Sequence, residues 1–325
     1  MSASSDMGPT GRLKRWMADN DVFVVLILFV AGASVASPTF LTAANLSNLL
    51  TQSAMLGLLS VAQFLIIVTA GFDLSVAAVM ALSSLVFARL VDVSFVPAAI
   101  AAILAGGACG LVNGLVITRG RVQPLIATLA MMGIARGLAL SISERSILVN
   151  NATLAEIKSL DGFLSVPTVI WFVVVAIAWF WFSRSRQALH LYAIGGNETT
   201  ARLAGVPVDR LRIGAYTVSG LIAGLTGVVL VIRSNSGVPL GGTGWELYTI
   251  AAVVIGGTSI FGGEGKLLHA MAGVLIYQMI ANVMNLTGVD PYYQDIVRAA
   301  VIILAVGLSI LRLRQRHRVR AVIRS

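Results

Sequence analysis

Ten stretches of predominantly apolar residues follow one another along this chain, at about 22–37, 46–70, 74–91, 95–118, 123–143, 166–183, 213–233, 246–261, 267–285 and 291–311. A helix needs about 20 such residues to cross the hydrocarbon core of a bilayer. A backbone in that core must satisfy its own polar groups, and a helix does so within one segment. The pattern predicts an all-α polytopic membrane protein with about ten transmembrane helices. Composition agrees: 57% of the residues are hydrophobic and only 11% are charged, against about a quarter charged in a soluble domain. A large soluble helical domain could not cover its surface with so few charges.

Charge placement sets the orientation, because Lys and Arg concentrate on the cytoplasmic side. With the N-terminus inside, 17 of the 23 Lys and Arg fall in cytoplasmic segments, four fall outside (Arg89, Arg145, Lys158, Arg233), and Arg136 and Arg298 lie within spans. Both termini are therefore expected in the cytoplasm. The net charge of +9 then reads as a topology signal with attraction to anionic lipid, and no nucleic acid is needed to explain it. No small-residue cleavage pattern follows the first apolar run, so that run reads as a retained helix. The expected organisation is a cytoplasmic tail over 1–21, a transmembrane domain over 22–311 and a basic cytoplasmic tail over 312–325. The lone Cys109 permits no intrachain disulfide and reads as a small packing residue.

Two connections are long. Residues 144–165 are expected in the periplasm and 184–212 in the cytoplasm. Within the second, Asn197 suits a helix N-cap, Glu198 matches the helix dipole, Gly205 suits the position just past the end and Pro207 blocks continuation. These signals predict a two-turn helix over roughly 198–204. It reads either as a docking knob for a soluble partner or as an ordinary joining loop.

Polar groups at membrane depth are few. Asp73, the only acid between about 22 and 91, reads as an N-cap on a helix from Leu74. Alternatively, with Gly71, it marks a break in a discontinuous helix near a solute path. Asp295 and Arg298 are three apart and can pair on one helix face. Arg136 and Arg298 can snorkel to the interface. Gln63, Asn113, Gln278, Asn282 and Asn285 read as interhelical hydrogen-bonding groups. An ion-driven transporter usually carries an ionisable relay at the midplane, and none is clear here. A neutral path suits a neutral polar solute driven by energy from a separate ATPase.

The segment 256–266 packs five glycines into eleven residues between apolar runs. It is no phosphate loop: Ile260 stands five residues before Gly265-Lys266 where a glycine is required, and Leu267 follows where Ser or Thr is required. No motif for hydrolysis or metal binding occurs, and His190, His269 and His317 lack suitable neighbours. The chain is not expected to be an enzyme, to bind a cofactor or to hold a metal.

Five stretches together resemble the membrane permeases of ribose-type ABC importers, a family that also serves xylose, galactose, arabinose, galactofuranose and autoinducer-type sugars. They are AGFDLSVAAVMALSS at 70–84, GRVQPLIATLAMMGIARGLAL at 120–140, AIGGNETTARLAGVPVDRLR at 193–212, AAVVIGGTSIFGGEGKLLHAMAG at 251–273 and GVDPYYQDIVRAAVIILAV at 288–306. The resemblance implies a multi-pass bacterial inner-membrane subunit that moves a monosaccharide or similar neutral solute by alternating access. It implies four partners: an ATP-binding subunit carrying ATP and Mg, a periplasmic sugar-binding protein, a second permease (identical or similar) and the sugar itself. The coupling segment would be Asn197, Glu198, Thr199, Thr200, Ala201, Arg202, Leu203, Ala204 and Gly205. It departs from the EAA-x3-G pattern of binding-protein-dependent permeases, because Thr199-Thr200 follow Glu198 and Gly205 falls one position late. Candidate path residues are Asp73, Asn113, Arg136, Glu246, Asn282, Asn285, Gln294 and Arg298. Permeases for nucleosides or branched-chain amino acids are the nearest alternatives in substrate, and a secondary transporter or channel is the alternative in class.

Overall fold

A computed structural model describes residues 20–307 except 291, 295, 302, 305 and 306. The fold is helical, with a single two-stranded ribbon among the described residues. Among the described residues six helices are long and apolar enough to cross a membrane: α2 (Ala43–Ile67), α4 (Phe95–Thr118), α5 (Pro124–Ile142), α7 (Val166–Arg184), α10 (Val208–Ser234) and α12 (Leu267–Leu286). Three shorter apolar helices are α1 (Asp21–Ala36), α3 (Val76–Leu90) and α11 (Trp245–Ile255). The described residues between 292 and 307 are also helical. The expected tail over 312–325 and Asp295, the proposed partner of Arg298, lie outside the described residues.

Helix α2 runs through the middle of the bundle. It packs against α10, α12, α7 and α11, and every residue from Ser53 to Ile67 is buried. The outer helices α4, α5 and α7 expose apolar side chains such as Ile100, Leu104, Ile126, Ile134, Ile177 and Phe180. In a bilayer those faces meet lipid tails, so the sequence is apolar on both sides of these helices.

The most extensive helix contact is between α4 and α10. Helices in lipid gain little from hydrophobicity alone and associate through close backbone packing at small residues. Gly106 and Gly110 of α4 face Gly220 and Gly224 of α10. A methyl on Gly220 would lie 2.9 Å from the Cα of Gly110, and one on Gly106 would lie 2.8 Å from the Cα of Gly224. The two backbones touch without side chains between them.

Three stretches differ from the sequence reading. The run at 246–261 is helical only to Ile255, after which the chain turns through Gly256 and Gly257. The helix expected from Leu74 begins at Val76, because Asp73 holds the two preceding residues in a turn of their own. The connection 144–165 is ordered around helix α6 (Ala152–Ser159), capped by the Asn151 side chain on the amides of Thr153 and Leu154. It also forms β1 (Ile147–Leu148), which pairs antiparallel with β2 (Ser236–Gly237), setting Ile147 opposite Gly237. This ribbon ties the end of α5 to the end of α10.

Candidate functional site

The connection after α7 carries two helices. Ser185 caps α8 (Arg186–Gly196) by accepting from the amide of Gln187, and Ala188, Leu191 and Ile194 bury one face of it. The sequence reading missed α8, although its apolar residues recur every three positions. Asn197 then caps α9 (Glu198–Leu203), its side chain accepting from the Thr200 amide at 2.9 Å. Gly205 follows at φ +80°, a left-handed conformation that costs glycine little. The predicted short helix and both of its end signals are therefore in place.

A charge network fixes α9 to the start of α10. Glu198 accepts from Arg202 at 2.9 Å and from Arg212 at 2.8 Å, and Arg202 also reaches Asp209 at 2.6 Å. The Arg212 hydrogen bond, helped by that of Arg202, holds the Glu198 carboxyl below its ordinary range despite the opposing effect of burial.

Upstream, α8 is locked to the bundle. The Gly263 amide donates to the Val68 carbonyl at 3.0 Å, just past the end of α2. A methyl on Gly263 would meet the backbone of Gly196 at 2.8 Å, and one on Gly262 would meet Ala70 at 2.6 Å. Tyr192 of α8 donates to the Gly265 carbonyl at 3.0 Å, and burial pushes its phenol up to about 12. The glycine-rich segment, which is the α11–α12 connection, thus packs on the end of α2 and on α8 where side chains would not fit.

The candidate path residues gather in separate groups. Asp73 is 2% exposed in the turn between α2 and α3. It accepts from the Ser75 amide at 2.9 Å, the Ser75 hydroxyl at 2.6 Å and Ser219 of α10 at 2.9 Å. Asn113 of α4 donates to the Ser75 hydroxyl at 3.0 Å. Asp73 therefore joins a turn to α4 and α10, and combines features of both sequence readings: it organises the turn before α3, and it does so inside the protein. Ser75 and Ser219 were not anticipated, and nothing local marks Ser219.

Arg136 of α5 donates to the carbonyl of Pro239 at 2.8 Å. It anchors the segment before α11 instead of snorkelling. Asn282 of α12 exchanges two hydrogen bonds with Asn45 of α2, at 2.8 and 3.1 Å. One layer further along, Gln278 donates to Gln52 at 3.1 Å. Asn285 accepts from Gln294 at 2.8 Å, and the Arg298 guanidinium lies 5.7 Å from the ring centre of Tyr248. Glu246 lies in the first turn of α11. On α2, Ser60 and the Gln63 amide are fully buried and pair with no protein group among the described residues.

Comparison with known proteins agrees with this architecture. The family described as branched-chain amino acid transport system / permease component matches residues 45–306. The ribose import permease protein of Escherichia coli (strain K12) is 40% identical over 303 residues, covering 90% of this chain and 94% of that protein. The ribose import permease protein of Bacillus subtilis (strain 168) is 38% identical over 294 residues, covering 88% and 91%. The D-allose transport system permease protein of Escherichia coli (strain K12) is 34% identical over 317 residues, covering 95% and 96%. No solved structure matches the chain. A bundle of membrane-length helices, a short capped helix between two of them and a family match over most of the length have one common explanation: this chain belongs to the permease-component family of ABC importers and is a multi-pass membrane protein.

Proposed function

We propose that this chain is the transmembrane subunit of an ATP-driven importer that carries a monosaccharide from a periplasmic binding protein into the bacterial cytoplasm by alternating access. The observation that carries the reading is near-full-length similarity to ribose and allose permeases. The family description names branched-chain amino acids, but the similar curated relatives carry pentoses and a hexose. The neutral character of the buried amides suits hydroxyl-bearing solutes, whereas an amino acid brings two charges that need partners.

In this reading the six long helices, the three shorter ones and the helical segment from Tyr292 make ten spans, with both termini in the cytoplasm. Residues 197–205 form the coupling segment, and the ATP-binding subunit below them holds ATP and Mg. The binding protein docks on the opposite side, over the connection containing α6. A second permease, identical or similar, completes the pathway. Asp73, Asn113, Arg136, Glu246, Asn282, Asn285, Gln294 and Arg298 border or brace that pathway. The chain itself carries no cofactor and no metal.

The test is uptake of labelled ribose, allose, arabinose and leucine by cells expressing the whole importer, with and without an uncoupler or ATP depletion. Uptake of one of the sugars should persist under the uncoupler and stop with ATP depletion. Uptake that collapses with the ion gradient would refute the ABC mechanism, and leucine as the sole transported compound would refute the sugar assignment.

A further inference from the structure

Hydroxyls buried in this bundle mostly close on their own helix. On α2 the Ser53 hydroxyl donates to the Leu49 carbonyl at 2.7 Å, and on α10 those of Thr226 and Ser234 donate to Ile222 and Leu230 at 2.7 and 2.8 Å. Three polar groups at the α2–α7 seam behave differently. The Ser60 hydroxyl, both ends of the Gln63 amide and the indole nitrogen of Trp171 are buried, and none has a hydrogen-bond partner among the described residues. Trp171 comes from α7, and its indole nitrogen lies against Gly57 of α2, where a methyl would fall on it. The steps from Gly57 to Ser60 and from Ser60 to Gln63 each advance about 4.5 Å along the helix and stop 60° short of a full circle. The three groups therefore follow one another along one side of α2. Nearer the start of both helices the same seam is polar and satisfied: Thr51 of α2 meets Ser165 at 2.7 Å, and Ser165 meets Thr168 at 2.9 Å, one turn before Trp171. Unpaired hydroxyls elsewhere, at Ser83 and Thr258, stand singly on their elements.

We infer that Trp171, Ser60 and Gln63 form a site for hydroxyl groups in the α2–α7 seam. Leaving a buried polar group unpaired is costly, and three in one row call for a ligand that pairs them. Their chemistry defines it. The indole only donates, the hydroxyl does either, and the amide donates at one end and accepts at the other. Helix α2 carries no charged residue and α7 only Arg184 at its far end, so nothing here balances an ion. The ligand is neutral, and its oxygen both accepts and donates. One such oxygen, with bonds of about 2.8 Å on either side, spans the step between successive groups. Water meets this description and fills the site when no solute is present. The hydroxyls of a sugar meet it equally and displace the water if the solute passes along this seam. The site itself does not depend on the transport reading; only displacement by sugar rests on it.

The experiment exposes the full-length chain in lipid nanodiscs to a brief X-ray pulse, which makes hydroxyl radicals from bound water in place and marks the side chains beside it. Trp171 should be marked although it is only 2% exposed, while Phe87, buried in the separate core between α3 and α4, should not. An unmarked Trp171 overturns the inference. The pulse is then repeated on the assembled importer with ATP, with and without ribose on the binding protein. Loss of the mark only with ribose identifies sugar hydroxyls as the second occupant, and a mark unchanged by ribose identifies water alone; both keep the site. Thermal unfolding gives an independent reading. Ser60→Ala and Gln63→Met remove atoms from a filled site, so each should lower the midpoint by roughly 2–4 °C, whereas Ser53→Ala should leave it nearly unchanged. A dry site predicts the opposite, because Gln63→Met then removes a burial cost, and a raised midpoint would overturn the inference. The X-ray measurement uses the unaltered chain, so it decides even where a substitution prevents folding. If sugar uptake fails its own test while Trp171 is marked, the transport reading falls and the site stands.

Discussion

Substituting Gly110 by alanine tests the α4–α10 contact directly. The new methyl would fall on the carbonyl oxygen of Tyr216 and 3.1 Å from the Cα of Gly220. Carbon atoms prefer about 3.5–4.0 Å, and both obstacles are backbone, so neither can swing aside. The helices must part by roughly 1 Å at this point, which lengthens every contact along the seam. It also pulls on two bonds made by α10, from Ser219 to Asp73 and from Tyr216 to the Phe72 carbonyl. Overpacking of this kind costs about 1–3 kcal/mol, partly offset by the roughly 1 kcal/mol by which alanine favours a helix over glycine. A larger Gly110→Val exchange crowds the same backbone further with a smaller offset. The control is Gly133→Ala on α5, where nothing lies within 4 Å of the new methyl. It should be neutral or stabilising. The assay is thermal unfolding in detergent, followed by a thiol-reactive fluorophore on the chain's single cysteine, Cys109. Gly110→Ala should lower the midpoint, Gly110→Val should lower it further, and Gly133→Ala should not. Equal midpoints for Gly110→Val and wild type would refute the packing argument.

Asp73→Ala leaves three buried donors without an acceptor. By the usual cost of an orphaned polar group it should destabilise by about 3 kcal/mol or more, whereas Ser219→Ala, read in the same unfolding assay, should cost about 1 kcal/mol. Asn45→Leu and Asn282→Leu should each destabilise by about 1 kcal/mol, with the double replacement costing less than the sum; a strictly additive pair would show that the reciprocal bonds carry no coupling. Glu198 has a lowered folded-state pKa, so its stabilising contribution is present above the ordinary carboxyl value, about 4.3, and is lost as pH falls through the lower folded-state value. Protection of the amides over residues 197–212, taken relative to the intrinsic base-catalysed exchange rate at each pH, should therefore hold near neutrality and fall only under acid, and a loss of protection on raising the pH from 6 to 8 would contradict the assignment of Glu198 as the charged acceptor.

How much of this was legible in the sequence depended on range. The α9 helix was readable because its start and stop signals, Asn197 and Gly205, act on neighbouring residues. Its charge network was half readable, since Glu198 and Arg202 are one turn apart, but Asp209 and Arg212 join only because α10 folds back beside it. Ser219 could not be connected to Asp73, 146 residues away, by any local pattern. For Arg136 the local pattern offers either snorkelling or a place beside the solute path; the Pro239 carbonyl that it meets lies 103 residues away, beyond any local signal. The glycine total was conspicuous, yet composition does not say which glycines face each other. The helix in the run at 246–261 stops six residues before the apolar run does, and hydropathy does not register that Gly256 and Gly257 end it.

The α4–α10 seam also imposes an order on synthesis. Helix α4 is complete at Thr118, but its glycine face has no partner until Gly220 and Gly224 of α10 have been made, more than a hundred residues later. At about 5–20 residues per second, α4 waits in the bilayer for several seconds with that groove covered only by lipid. Its own hydropathy is sufficient to hold it there as an independent span. The most extensive helix seam among the described residues is thus a late event of translation, and chains stalled before α10 would reach the membrane inserted but unassembled.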